Sequence, residues 1–170
     1  LLSPEEATLV FKPKARDVTM EETRFFVEGS NLYLPGPGVV DGRHRLHVRT
    51  AQGQVGGLEV LVPKGLTVSE VSGSIGSWQF DADSGLLKLE IEPAQSVAFD
   101  VMIDTQRGLD PLPADLTLAP LKVLGANGEV GLLAIAFGSD AQPEKAESET
   151  MSAVNLDDFD ASLLPSEKAI

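Results

Sequence analysis

The chain has 170 residues, enough for one ordinary domain and few for two. Hydrophobic residues make up 42%, which excludes disorder by composition, while aromatics at 5% leave the core to aliphatic packing. The formal charge of −13 argues against a general nucleic-acid binder or a protein resting on anionic lipid, because a field of that sign repels both. Sixteen Gly and eleven Pro punctuate the chain too often for long helices. No run of 18 apolar residues is present, so no direct membrane insertion of this stretch is expected. Cysteine is absent, which removes disulfides, thiolate metal sites and a Cys nucleophile. The chain begins at Leu1 with no signal peptide, and reads as an excised piece of something longer.

In chain order, Ser3-Pro4-Glu5-Glu6 has the residues of a capped helix start, but Thr8-Leu9-Val10-Phe11 is β-like and Pro13 ends it. A short edge strand or linker over residues 1–22 is the expectation. Thr23 to Val27 and Leu32 to Leu34 read as strands, separated by a turn at Glu28-Gly29-Ser30-Asn31. The alternation from Arg43 to Arg49 sets Leu46 and Val48 on one face, with Arg45, His47 and Arg49 on the other. A strand over Gly57 to Val62 runs into a tight turn at Pro63-Lys64-Gly65. The run from Leu66 to Val71 then points Leu66, Val68 and a shifted Val71 inward. Trp78-Gln79-Phe80, a turn at residues 81–85 and the alternation from Leu87 to Glu92 form a hairpin. Val97, Phe99, Val101 and Ile103 share the apolar face of the next strand.

The segment from Glu129 to Phe137 is nearly all apolar, the pattern of a central strand covered on both faces. Leu156, Phe159, Leu163 and Leu164 lie at helical spacing, so one short helix closed by Pro165 is expected near the C-terminus. Residues 140–170 carry 8 acids against 2 bases. Strands at this spacing with turns between them predict an all-β fold, an antiparallel β-sandwich of immunoglobulin-like or jelly-roll-like type. Its core is expected over 23–139, with the acidic segment 140–170 packed on it.

The strip Arg43, Arg45, His47 and Arg49 is the first candidate for binding, since three Arg within seven residues can hold a carboxylate, phosphate or acidic polysaccharide. The simpler reading pairs the strip with wet-face acids such as Glu59, Glu90, Asp100 or Asp104. Trp78 is a candidate sugar-stacking platform, though a lone Trp more often seals a core. Asp81 and Asp83 begin like a calcium loop, but Gly85 comes one place early and no bidentate Glu follows, so a hairpin turn is favoured. Asp157, Asp158 and Asp160 read as helix-start acids. His44 and His47, three apart on a strand, face opposite sides and cannot share one metal or one catalytic centre. The cluster Gly73-Ser74-Ile75-Gly76-Ser77 lacks the following helix that a phosphate loop needs. No catalytic residue and no cofactor are assigned.

The stretch from Gly57 to Gly73 (GLEVLVPKGLTVSEVSG), leading to Trp78, resembles the sandwich modules of large bacterial envelope proteins. The path from Pro120 through Gly125, Gly131 and Phe137 to Leu156-Asp157-Asp158 is similar to theirs as well. The resemblance implies a non-catalytic structural or interaction module, periplasmic or at the cell surface, with neighbouring modules or other envelope proteins as partners. Two other readings stand beside it. One is a carbohydrate- or anion-binding module using the Arg43–Arg49 strand or Trp78, and the other is a hydrolase with scattered catalytic residues.

Overall fold

The computed structural model describes residues 17–111, 113–138 and 142–164, and the Ser3–Phe11 stretch and Pro165 lie outside them. The chain is an all-β sandwich. Its strands are β1 (Arg24–Gly36), β2 (Val39–Gln52), β3 (Val55–Leu61), β4 (Thr67–Gly73), β5 (Ser77–Asp81), β6 (Leu86–Gln95), β7 (Phe99–Gly108), β8 (Lys122–Leu124) and β9 (Gly128–Ile135). They form a five-stranded sheet ordered β4-β7-β2-β1-β9 and a four-stranded sheet ordered β5-β6-β3-β8. Neighbours are antiparallel except β1 and β9, which run parallel.

The core follows from two-residue alternation. Val27, Leu46, Val48, Val101 and Ile103 from the larger sheet meet Leu58, Val60, Leu87, Leu89 and Val123 from the smaller one, and all are buried. Each such side chain contributes about 1.5–3 kcal/mol when fully removed from water. Val71 is buried because the β4–β7 register shifts between Val68 and Glu70, which turns the strand's later residues over. At Pro63-Lys64-Gly65 the chain turns with Gly65 at φ +88°, and the Leu66 N–H donates to the Pro63 carbonyl.

Four expectations are corrected. The turn at residues 28–31 does not exist, because β1 runs unbroken from Arg24 to Gly36 and Asn31 is a buried polar residue within it. Val97 lies in the connection before β7 and is exposed, so it does not share the face of Phe99. Among the described residues the apolar Glu129–Phe137 segment is an edge strand and not a central one, since β9 pairs there with β1 alone. The C-terminal helix is a single 3-10 turn at Leu156–Asp158, capped by the Asn155 side chain accepting from the Asp157 N–H, followed by a turn at residues 161–163.

That C-terminal segment lies as a strap across the outer face of the larger sheet. Phe159 and Leu163 are buried against Leu32 of β1, with Met102, Leu132 and Ala134 at the margins. The wet face of this sheet therefore carries a second, smaller apolar cluster.

Candidate functional site

The outer face of β2 places Arg45 and His47 two residues apart and both toward the strap. Register sets His47 opposite Asp100 of β7, and Arg45 opposite Met102. The Arg45 guanidinium donates from Nε and Nη2 to the two oxygens of Asp100, at 3.3 and 3.0 Å. Its remaining Nη1 donates to Asp160 Oδ2 of the strap at 2.5 Å. His47 Nδ1 stands 2.7 Å from Asp100 Oδ1. A planar, five-donor cation suits this role, because one guanidinium can bridge two carboxylates in fixed geometry.

The charges respond accordingly. Partial burial raises the Asp100 carboxyl, but hydrogen bonds from Arg45 and His47 outweigh it and hold the group below the ordinary carboxylate range. Asp160 behaves alike, its burial outweighed by Arg45 and Ser162. Asp104 is shifted upward, chiefly by desolvation and against the attraction of Arg43. Arg49 pairs with Glu28 of β1 at 3.3 Å, and both side chains are exposed. Arg43 stands opposite Asp104 in the β2–β7 register and is exposed.

The other candidates fall apart from this cluster. Trp78 is 39% exposed on β5, an edge of the smaller sheet, so it does not seal the core. It lies on the opposite sheet from the arginines. Asp81 accepts from the Ser84 hydroxyl at 2.7 Å and from the Asp83 N–H at 3.0 Å, and these bonds, led by Ser84, hold its carboxyl low. Gly85 follows at φ +69°, so residues 81–85 are a hairpin turn. Among the described residues, no three His, Asp or Glu side chains are grouped to hold a metal ion.

Sequence reasoning missed a buried polar network on the inner face. Asn31 Oδ1 accepts from the Leu121 N–H at 3.0 Å, and its Nδ2 donates to the Leu132 carbonyl at 3.0 Å. With the amide so oriented, His44 Nδ1 must be the donor to Asn31 Oδ1 at 2.9 Å. His44 Nε2 then accepts from the Thr105 hydroxyl at 2.9 Å. The imidazole is thus the neutral Nδ1–H tautomer, and burial pushes its pKa down to about 3. Tyr33 meets the His44 ring edge-on and donates its hydroxyl to the Ala119 carbonyl at 2.6 Å. Gly42 is required beside it, because a Cβ there would strike Thr105 Oγ1 and His44 Nε2. The network ties β1, β2, β7, β9 and the connection leading into β8. Even-numbered parity with Leu46 and Val48 was the signal that placed His44 inside.

A shallow groove of about 460 Å³ is lined by Phe26, Arg49, Thr50, Ala51 and Ala98. No protein-family model matches the chain, and no curated protein matches its sequence. Among solved structures it is similar in part to M1 zinc metallopeptidases. One from Deinococcus radiodurans, a variant bound to a Tyr-Ser-Ala substrate, is 13% identical with a TM-score of 0.35, covering 55% of this chain and 22% of that one. Another structure of the Deinococcus radiodurans enzyme is 11% identical, with the same TM-score and coverage. A two-domain M1 zinc metallopeptidase variant bound to L-arginine is 16% identical at a TM-score of 0.34. The matches span about a fifth of those chains' length, and at that similarity they say nothing of activity here.

Proposed function

We propose that this chain is a non-catalytic structural and interaction module of a larger bacterial envelope protein, working in the periplasm or at the cell surface. The observation that supports this most is the bonding of Arg45. All three nitrogens of its guanidinium donate to Asp100 or Asp160, so the centre of the basic strip serves as a clamp between sheet and strap. His44 is likewise enclosed by Asn31 and Thr105. The placement in the envelope rests on the resemblance of the Gly57–Gly73 stretch, and subcellular fractionation tests it: signal confined to the cytosol contradicts it.

A second reading has one observation in its favour. Arg49 and the exposed Phe26 both line the shallow groove, a cation and an aromatic ring of the kinds that anionic sugars use. A thermal-shift panel of acidic polysaccharides and neutral glycans separates the two readings, because a bound ligand raises the melting temperature by mass action. The module reading predicts no shift. A shift that disappears in Arg45→Ala with Arg49→Ala overturns it in favour of anion binding, and one lost in Trp78→Ala does so in favour of glycan stacking.

A further inference from the structure

The recess that the strap fills is organised by the sheet alone. Leu32 of β1 forms its floor, with Met102 and Leu132 at its margins. At its rim the sheet aims Arg45. Asp100 of β7 accepts from the guanidinium Nε and Nη2, and His47 Nδ1 stands 2.7 Å from the same carboxylate. Nη1 is the nitrogen left over, and it donates to Asp160 Oδ2 of the strap.

The strap is organised just as independently. Its backbone hydrogen bonds are local, with the Phe159 N–H donating to the Leu156 carbonyl and the Leu163 N–H to the Asp160 carbonyl. Asp160 Oδ1 accepts from the N–H and the hydroxyl of Ser162, at 2.9 and 2.7 Å. Those bonds set the turn and leave Oδ2 for Arg45. Phe159 and Leu163, four residues apart, are the side chains buried against the sheet. Before them, residues 142–158 are all exposed, and 142–155 contain neither helix nor strand. Two preformed halves meeting through side chains have the relation of a receptor and its ligand.

We propose that this recess is a peptide-binding site, held closed by the chain's own strap, for an acidic segment of another protein with the strap's chemistry. That segment has an aromatic residue, Asp directly after it, Ser or Thr two places beyond the Asp, and Leu four after the aromatic. Its aromatic and Leu side chains enter over Leu32, and its Asp meets Arg45 Nη1. While the strap is seated no guanidinium nitrogen is free, so the site opens only when the strap leaves. The chain's charge of −13 does not forbid an acidic ligand, since the strap docks while carrying Asp157, Asp158 and Asp160. This inference rests on the interaction-module reading and deepens it by naming the surface and the partner's chemistry.

A short tether such as residues 136–154 holds the strap at an effective concentration of about 1 mM. A strap seated by about ten to one or better then implies a Kd of about 0.1 mM or tighter for the same segment supplied free. Fluorescence polarisation of a labelled peptide spanning residues 153–164, titrated with the full chain, reads this. The chain with Phe159→Ala, its strap loosened, should bind at that affinity, and the unaltered chain about tenfold or more weakly, because its own strap competes. Asp160→Lys opens the strap by repulsion from Arg45 without removing a buried ring, and gains binding in the same way; melting curves verify that both variants are folded. Arg45→Met added to Phe159→Ala weakens binding about tenfold. A scrambled peptide of equal charge does not bind. Failure here leaves the module reading standing, since fractionation judges that separately. The proposal is overturned by no binding to either opened chain up to about 1 mM, by equal binding to opened and unaltered chains, by indifference to Arg45→Met, or by equal binding of the scrambled peptide.

Discussion

Asn31→Leu is expected to destabilise the fold by about 3 kcal/mol or more. The substitution leaves the Leu121 N–H and the His44 Nδ1–H facing a hydrocarbon side chain inside the sandwich, and removes a second donor from the Leu132 carbonyl. Each buried group stranded in this way costs about 1–3 kcal/mol. Urea unfolding near neutral pH measures the loss as a lower midpoint. The same network makes stability depend on pH with a predictable sign. His44 titrates near 6.5 when unfolded and near 3 when folded, so the unfolded chain binds the extra proton between those values. The contribution is complete above pH 6.5 and declines as pH falls, by about 1.4 kcal/mol per unit. Between pH 7 and pH 4.5 the decline is about 2.5 kcal/mol. Asp100 and Asp160, held low, lose their contribution only as pH drops below the ordinary carboxylate range, and Asp104, shifted upward, acts in the opposite sense nearby. His44→Leu should therefore start less stable at pH 7 and show a flat profile from pH 6.5 to 4.5. A variant that keeps the wild-type slope would place its origin elsewhere.

Phe159→Ala is expected to release the strap without unfolding the sandwich. The backbone hydrogen bonds of residues 155–164 are local, such as Phe159 N–H to Leu156 and Leu163 N–H to Asp160. Docking on the sheet rests on Phe159, Leu163 and the Arg45–Asp160 contact. Truncating a buried Phe costs about 3–5 kcal/mol, a large share of what so few contacts can supply. At protease levels low enough that the strap recloses faster than it is cut, proteolysis tracks the open population, and about 3 kcal/mol corresponds to a hundredfold or greater rise. A broad-specificity protease such as proteinase K should cut within 156–164 at a rate raised by that factor, while the global melting temperature moves little. Equal loss of strap and sandwich would show that the two unfold as one unit.

The strands were legible wherever a single face is wet. The alternation from Arg43 to Arg49 and from Leu87 to Glu92 announces its own geometry, and the turns at Gly65 and Gly85 announce theirs. Three features were not legible, each for a physical reason. Asn31 is a turn-forming residue by local preference, and only its partners at Leu121 and Leu132, far along the chain, make it acceptable inside a strand. The apolar run of β9 reads as a buried strand because composition reports how oily a strand is, and not which neighbours the topology supplies. The Arg45–Asp160 bond joins residues 115 apart, and periodicity within a segment carries no information at that separation. Asp160 looked like a helix-start acid; the strap's short 3-10 turn frees it to meet the arginine instead.

For the candidate site the division is similar. The strip was found, and its pairing with Asp100 followed from strand chemistry. Glu28 as the partner of Arg49 was hidden by the false turn at residues 28–31, which removed Glu28 from the sheet.

Arg45 holds sheet and strap together and does not stand ready for a ligand. A double-mutant cycle of Arg45→Met and Asp160→Asn, followed by urea unfolding and strap proteolysis, tests this most directly. With the two side chains only partly exposed and therefore partly screened, the expected coupling is about 1–2 kcal/mol, and Arg45→Met alone lowers stability. Residues kept for binding commonly weaken a fold, so a gain in stability on Arg45→Met with no coupling to Asp160 would contradict the account.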